Sequence, residues 1–554
     1  MKNQNPLLHT PEGVRDIYGN EFVQKFELQQ LLYRILAGRG YQGIETPTFE
    51  FFDVFSREVG TVSSRELYKF FDKEGNTLVL RPDMTPSIAR AVSKYFHDET
   101  PIRLCYMGNT FINYDKYQGR LKETTQMGAE LMGDGSVASD VELLSVLIEA
   151  LQEAGLREFQ VSVGQVEFFK ALLREAGIGN AAEESLRRLI SDKNRFGAEE
   201  LLASYDISEK LRATFLEMAT LTGGEEALQK ARSLTDNAEA LEALERLQEI
   251  YEGLKKKGYE KYVTFDLSML SKYNYYTGII FHAYSYGYGE PIAKGGRYDN
   301  LLSHFGRELP AVGFAIVLDQ LQRALRNDAE KKVNATDDGK RYLTFALTKG
   351  RLAKKTLELL EKVGITCEEM KDPDSRKLIF VNEELGLKFF LAKGPDVPTY
   401  VEYGAADIGV VGKDTILEAG KKVHEVLDLG FGKCRMCVCG PADAKKYLEN
   451  HELIRVATKY PNIAKDYFYN TRHQTVEIIK LNGSIELAPI VGLSEVIVDI
   501  VETGSTLKEN GLVVLDEVCP LSARMIVKQV SMRLENDRIK ELLYKLRSIL
   551  KREA

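Results

Sequence analysis

Between Ile497 and Gly511 the chain reads IVDIVETGSTLKENG, an apolar strand that delivers two carboxylates, Asp499 and Glu502, to a turn of Thr503, Gly504, Ser505 and Thr506. Backbone amides and hydroxyls at a turn entering a helix donate several hydrogen bonds without a bulky side chain in the way, which is what a phosphate monoester needs. Carboxylates just upstream suit the vicinal hydroxyls of a ribose. A plain strand, turn and N-capped helix reads the same way, because TGST also caps well.

Neighbouring segments bear on that choice. Thr348-Lys349-Gly350-Arg351-Leu352 closes one strand and opens a helix, putting Lys349 and Arg351 at a strand's carboxyl end, where open α/β sheets bind ligands. Two cations there suit a polyphosphate. Ser375-Arg376-Lys377 precedes another strand, Thr458-Lys459-Tyr460-Pro461-Asn462 follows one, and NGSIELAP over 482–489 joins a turn to a carboxylate.

The elements that must position these groups fall into two blocks. Before Asn327, Glu21 to Arg39 predicts an amphipathic helix with Phe22, Phe26, Leu28, Leu31, Leu32 and Ile35 on its buried stripe. TLVLRP, PIRLCYMGNTFI and FQVSVG predict strands, residues 166 to about 257 a helical insertion, and YVTFDLSML a return to strand. Residues 327–340, NDAEKKVNATDDGK, have the composition of a solvated linker. After it, YLTFALTK, KLIFV, KFFLA and ADIGVVG alternate with helical patterns, the rhythm of helix-covered parallel or mixed sheets. The domain expectation is 1–326, the linker 327–340, and 341–554.

Composition narrows the function classes. The 554 residues are 44% hydrophobic and 28% charged with a net charge of −8, which excludes a disordered chain and gives no global drive toward nucleic acid or anionic membrane. The start lacks a signal-peptide core and no apolar run reaches membrane length, so a soluble, cytoplasmic protein is expected. Six cysteines are too sparse for a disulfide framework. KCRMCVCG, with Cys434, Cys437 and Cys439, reads as a buried strand without a second ligand cluster, so no metal site is assigned.

Taken together, LTKGRL, DVPTYVEYGAADIGVVGKD, ATKYPNIA, EIIKLNGSIELAP and DIVETGSTLKENGL make residues 341 to about 550 resemble the short form of ATP phosphoribosyltransferase. The resemblance implies two α/β lobes similar to periplasmic binding proteins. It also implies joining of N1 of ATP's adenine to C1 of 5-phosphoribosyl pyrophosphate, with Mg2+ and release of pyrophosphate. On that resemblance Thr503, Gly504, Ser505 and Thr506 hold the 5-phosphate, Asp499 and Glu502 face the ribose, and Lys349, Arg351 and Arg376 neutralise the pyrophosphate and ATP phosphates. The short form has no regulatory domain after its final helix, so control is expected from elsewhere.

Residues 6 to about 325 resemble the catalytic domain of histidyl-tRNA synthetase through TPEGVRD, GYQGIETPTFE, LRPDMTPSIAR, TQMGAELMG, NYYTGIIF, GGRYDNLL and PAVGFAIVLDQL. The implied fold is an α+β domain on a class II antiparallel sheet, dimeric through the motif containing Pro47. Three arginines of the family are absent: Ile112, Ser271 and Gln320 stand in their places. None of these reproduces a guanidinium's bidentate phosphate contact, so amino-acid activation is expected to be lost. With no anticodon-binding domain at its usual place, tRNA is not an expected partner. The amino-acid pocket is better kept: the resemblance gives Asp83 and Thr85 to the α-amino group, and Gln126, Glu130, Tyr275 and Tyr276 to the carboxylate and imidazole.

The pairing resembles a transferase and its synthetase-like regulatory subunit placed on one chain, which fixes them at one to one. The expectation is a histidine-inhibited enzyme of histidine biosynthesis, assembled as a homo-oligomer. A non-catalytic histidine and nucleotide sensor is the alternative, disfavoured by the intact DIVETGSTL and LTKGRL. An active synthetase is disfavoured by Ile112, Ser271 and Gln320.

Overall fold

The structure is a computed structural model that describes residues 8–55, 62–97, 100–114, 120–270, 276–286, 289–330, 341–371 and 377–553. It divides into two compact units, Met1–Lys332 and Val333–Ala554. No helix among the described residues is long and apolar enough to cross a membrane.

The first unit is built on a nine-stranded sheet. Its middle is antiparallel, running from Ile102–Phe111 through Glu123–Met132, Ala311–Val317, Ala293–Arg297 and Ile279–Ser285 to Phe159–Gln165. Each end departs from the antiparallel expectation with one parallel pairing, Gln42–Ile44 beside Ile102–Phe111 and Val263–Asp266 beside Phe159–Gln165. The insertion forms six helices between Val166 and Lys255. They share one apolar core with the sheet, and the short strand Thr222–Gly223 between them joins the sheet's edge at Val263–Asp266. Buried Lys193 fastens the two by bonding Ser268 at 2.8 Å and Asp266 at 3.4 Å.

The first helix, Gly19–Gly38, corrects the predicted stripe. Leu28, Leu32 and Leu36 are buried against the sheet, whereas Phe22 and Phe26 are 55% and 49% exposed and stack on each other at 6.2 Å. Phe26 and Leu28 are two residues apart, about 200° around a helix, so the two rows cannot share a face.

The second unit carries two mixed sheets. In the first, Leu343–Thr348 lies parallel to both Leu387–Ala392 and Ile408–Gly412, and Ala523–Lys528 runs antiparallel between Ile408–Gly412 and Val423–Asp428. In the second, Ile454–Thr458 is parallel to Val476–Lys480 and Val496–Val501, while Cys434–Gly440 pairs antiparallel with Val496–Val501 and Val513–Leu521. The chain crosses between sheets twice, over 429–433 and at Ser522. The crossings brace each other: Leu429 N–H donates to Ala523 O at 3.0 Å and Ala523 N–H to Phe431 O at 2.9 Å.

Candidate functional sites

In the second unit, both sheets present the carboxyl ends of their parallel strands as ligand-binding edges. On the first sheet, Thr348 Oγ1 donates to Val410 O at 2.8 Å and Lys349 N–H to Ala392 O at 2.9 Å, which fixes the strand end. Gly350 then turns the chain with φ +95° into the helix Arg351–Glu361, leaving Lys349 and Arg351 exposed. On the second sheet, Thr458 Oγ1 donates to Val498 O at 2.6 Å and accepts from Tyr460 N–H at 2.9 Å, so the ATKYP segment is tied to the DIVETGST strand.

The turn after Val496–Val501 has the predicted form. Gly504 stands at φ +76° before the helix Ser505–Glu509, and the hydroxyls of Thr503 and Ser505 lie 3.0 Å apart on the exposed side. A Cβ at Gly504 would meet Val501 only at 3.7 Å, so the backbone angle selects glycine there and the space over the turn is open. Asp499 is half-buried and accepts Ile500 N–H at 2.8 Å. Burial holds its carboxyl above the usual range, nearby Glu486 adds to this, and Lys459 opposes it. The ATKYP, NGSIEL and DIVETGST segments therefore meet around one carboxylate. Arg376 lies outside the described residues.

Contacts between the two sheets' edges were not legible in the sequence. Arg351 reaches Glu502 at 3.3 Å. Glu418 accepts the N–H groups of Asn462 and Ile463 at 3.0 and 3.2 Å, where helix Pro461–Asp466 begins, and Tyr460 hydrogen-bonds Asp414. Asp414 and Tyr460 fall inside the quoted motifs VVGKD and ATKYP, yet nothing local announces that they meet. Cys437 and Cys439 are buried in the strand Cys434–Gly440, and burial raises the Cys439 thiol to about 12, so these are inert side chains.

In the first unit, one face of the central sheet forms a pocket floor. The pairing places Glu130 opposite Gly313 and Leu104, Gly128 opposite Ala315 and Tyr106, and Gln126 opposite Val317 and Gly108. Glycines leave room on this face: a Cβ at Gly313 would collide with the Glu130 carboxylate, and one at Gly128 with Tyr106 and Phe314 O. Glu130 is 1% exposed and accepts the Thr85 hydroxyl at 2.8 Å and the Tyr298 hydroxyl. Burial pushes its carboxyl up to about 8 and Asp83 adds to that, against the two hydroxyl donors. Asp83 Oδ1 accepts Met84 N–H at 2.7 Å, at the start of helix Thr85–Tyr95, and burial raises the Tyr276 phenol, to which nearby Asp83 and Glu130 add smaller upward pushes.

The structure thus gathers Asp83, Thr85, Glu130 and Tyr276, with Gln126 farther along the same face; Tyr275 and Ser271 lie outside the described residues. Tyr298 was missed by sequence reasoning. Its neighbour Arg297 is anchored to buried Asp140 at 2.6 Å, and Asp140 also holds Arg246 of the insertion at 2.6 Å. Behind the sheet a cleft of about 390 Å3 is lined by Arg15, Lys25, Asn109, Thr125 and Asp319 under the Phe22–Phe26 stack. Its polar groups bond one another, as in Lys25 to Thr125 at 2.6 Å and Asp319 to Thr125 N–H at 3.1 Å.

Fold and site define a class: an α/β unit with a phosphate-suited turn at a sheet's carboxyl edge, on one chain with a class II synthetase-like unit. The family profile described as Histidyl-tRNA synthetase matches residues 13–321, and the one described as ATP phosphoribosyltransferase matches 393–548. The ATP phosphoribosyltransferase of Lachnoclostridium phytofermentans is 77% identical over 38% of this chain and 98% of its own length. The ATP phosphoribosyltransferase regulatory subunit of Ruminiclostridium cellulolyticum is 36% identical over 71% of this chain and 94% of its own. A crystal structure of an ATP phosphoribosyltransferase regulatory subunit/histidyl-tRNA synthetase from Bacillus halodurans matches with TM-score 0.55 and 31% identity, covering 70% of this chain and 100% of that one. The chain belongs to the ATP phosphoribosyltransferase family in its C-terminal half and to the histidyl-tRNA synthetase family, in its regulatory-subunit branch, in its N-terminal half. It is an ATP phosphoribosyltransferase, an enzyme of histidine biosynthesis.

Proposed function

We propose that the second unit holds 5-phosphoribosyl pyrophosphate with its 5-phosphate on Thr503 to Thr506 and its ribose against Asp499 and Glu502, and that Lys349, Arg351 and Arg376 face the pyrophosphate and ATP phosphates. The observation that carries this is the meeting of three loops around Asp499 beside an open TGST turn. Two sheets joined by two chain crossings also support a likeness to periplasmic binding proteins. The reaction needs no side-chain nucleophile. Adenine N1 attacks C1 as the C1–O bond to pyrophosphate breaks, and positive charge at the departing oxygens favours the transition state selectively. Holding two mobile polyanions in line supplies much of the rest.

Mg2+ fits this donor set as a substrate-borne ion. Among the described residues no three His, Cys, Asp or Glu side chains form a metal cluster. Mg2+ commonly keeps waters and substrate phosphates and takes only one or two protein carboxylates, a need that Asp499 and Glu486 can meet. When bound, it screens the pyrophosphate.

We also propose that the first unit is the feedback sensor, a cytoplasmic histidine pocket of Asp83, Thr85, Gln126, Glu130, Tyr275 and Tyr276 in a homo-oligomeric enzyme that binds no tRNA. Glu130, buried and held by two hydroxyls, is placed to hydrogen-bond an imidazole. Purified protein mixed with ATP, 5-phosphoribosyl pyrophosphate and Mg2+ should release pyrophosphate and change the adenine absorbance, with histidine suppressing both. Histidine-dependent pyrophosphate exchange in the absence of the phosphoribosyl donor would instead reveal a working synthetase.

A further inference from the structure

One end of the pocket floor carries an ion pair. From Glu130 to Gln126 the strand spans four residues, about 14 Å. Beyond Gln126 the partner strand ends at Val317, whose N–H donates to Ile292 O at 2.9 Å, which brings the segment before Ile292 to that end of the floor. There the Glu290 carboxylate binds Arg120 at 2.9 Å on one oxygen and accepts Gln320 Nε2 at 3.4 Å on the other. Arg120 also lies over the Tyr114 ring at 5.4 Å. The ion pair is largely covered, with side-chain exposures of 15% and 25%. The amide oxygens of Gln126 and Gln320 are buried there without a donor among the described residues.

We infer that the Arg120–Glu290–Gln320 cluster is a specificity element: the pocket takes an amino acid whose α-carboxylate is free and excludes the same amino acid carrying a large group on that carboxylate. A free carboxylate adds an anion beside Arg120. A conjugate removes that charge and must push through a covered ion pair, leaving Glu290 desolvated and unpartnered, which is costly. Discrimination here comes from a repulsive element as much as from an attractive one. The inference rests on the pocket's binding histidine.

Calorimetry on the full chain with L-histidine and with histidylsulfamoyl adenosine, a stable conjugate, tests both readings. In the parent, histidine should bind at least about tenfold more tightly than the conjugate. In Glu290→Ala, and separately in Gln320→Ala, the conjugate should gain about tenfold or more relative to histidine. If the parent binds the conjugate as tightly as histidine, this inference is overturned and the histidine reading stands. If the parent binds neither ligand, the histidine reading falls and the inference with it.

Discussion

Replacing Glu130 with glutamine should flatten the pH dependence of the first unit's stability. The buried carboxyl keeps its proton up to about 8 in the folded chain, against an ordinary value of 4.5. Between those limits the unfolded chain has lost the proton and the folded chain has not, so folding takes up a proton and each rise in pH weakens the folded state. At about 1.4 kcal/mol per pH unit, the interval amounts to about 5 kcal/mol at most, present below pH 4.5 and gone above pH 8. Glutamine keeps the shape and can still bond the Thr85 and Tyr298 hydroxyls, so it removes the titration more than the packing. The chain has no tryptophan, so urea unfolding is best followed by far-ultraviolet circular dichroism. The parent should lose a few kcal/mol relative to Glu130→Gln between pH 5 and pH 8. Parallel curves for the two proteins would refute the argument that burial keeps this carboxyl neutral.

Gly504→Val, forced to φ +76°, should distort the turn at a cost of about 1–2 kcal/mol and raise KM for 5-phosphoribosyl pyrophosphate more than for ATP, as steady-state kinetics with each substrate varied will show. Lys349→Ala and Arg376→Ala should lower kcat about tenfold or more at saturating substrates if they stabilise the departing pyrophosphate, whereas an unchanged kcat with raised KM would make them binding groups only. Glu130→Ala and Tyr276→Ala should blunt histidine inhibition measured against each variant's own histidine-free rate; full inhibition in the double variant would place the effector elsewhere. Linkage then requires any substrate whose affinity histidine lowers to weaken histidine binding by the same factor, testable by calorimetry with and without that substrate.

What the sequence disclosed was local. Strand, turn and helix around 497–511 follow from apolar run, glycine and hydroxyl order, and the structure has Val496–Val501, Gly504 and Ser505–Glu509 in that arrangement. Contacts between distant segments have no such signature. Asp414 with Tyr460 and Glu418 with Asn462 join elements of two different sheets, and Tyr298 with Glu130 depends on the order of strands in the large sheet. On the first helix, hydrophobicity alone does not separate the two rows that the helical angle keeps apart: Leu28, Leu32 and Leu36 face the core, while Phe22 and Phe26 form the lip of a cleft. The pocket residues of the first unit were legible only through resemblance, since Asp83, Gln126 and Glu130 lie in segments whose composition is ordinary.

The strand Ala523–Lys528, between Ile408–Gly412 and Val423–Asp428, also sets an order of events at the ribosome. The large sheet of the first unit has its last strand by Val317, so that half can close while the rest is still being made. The first sheet of the second unit must wait until almost the whole chain has emerged, because one of its interior strands is the last to be synthesised. A nascent chain can therefore close its N-terminal half before its C-terminal half, and a ribosome stalled between Val317 and Ala523 releases a first unit whose companion lacks an interior strand.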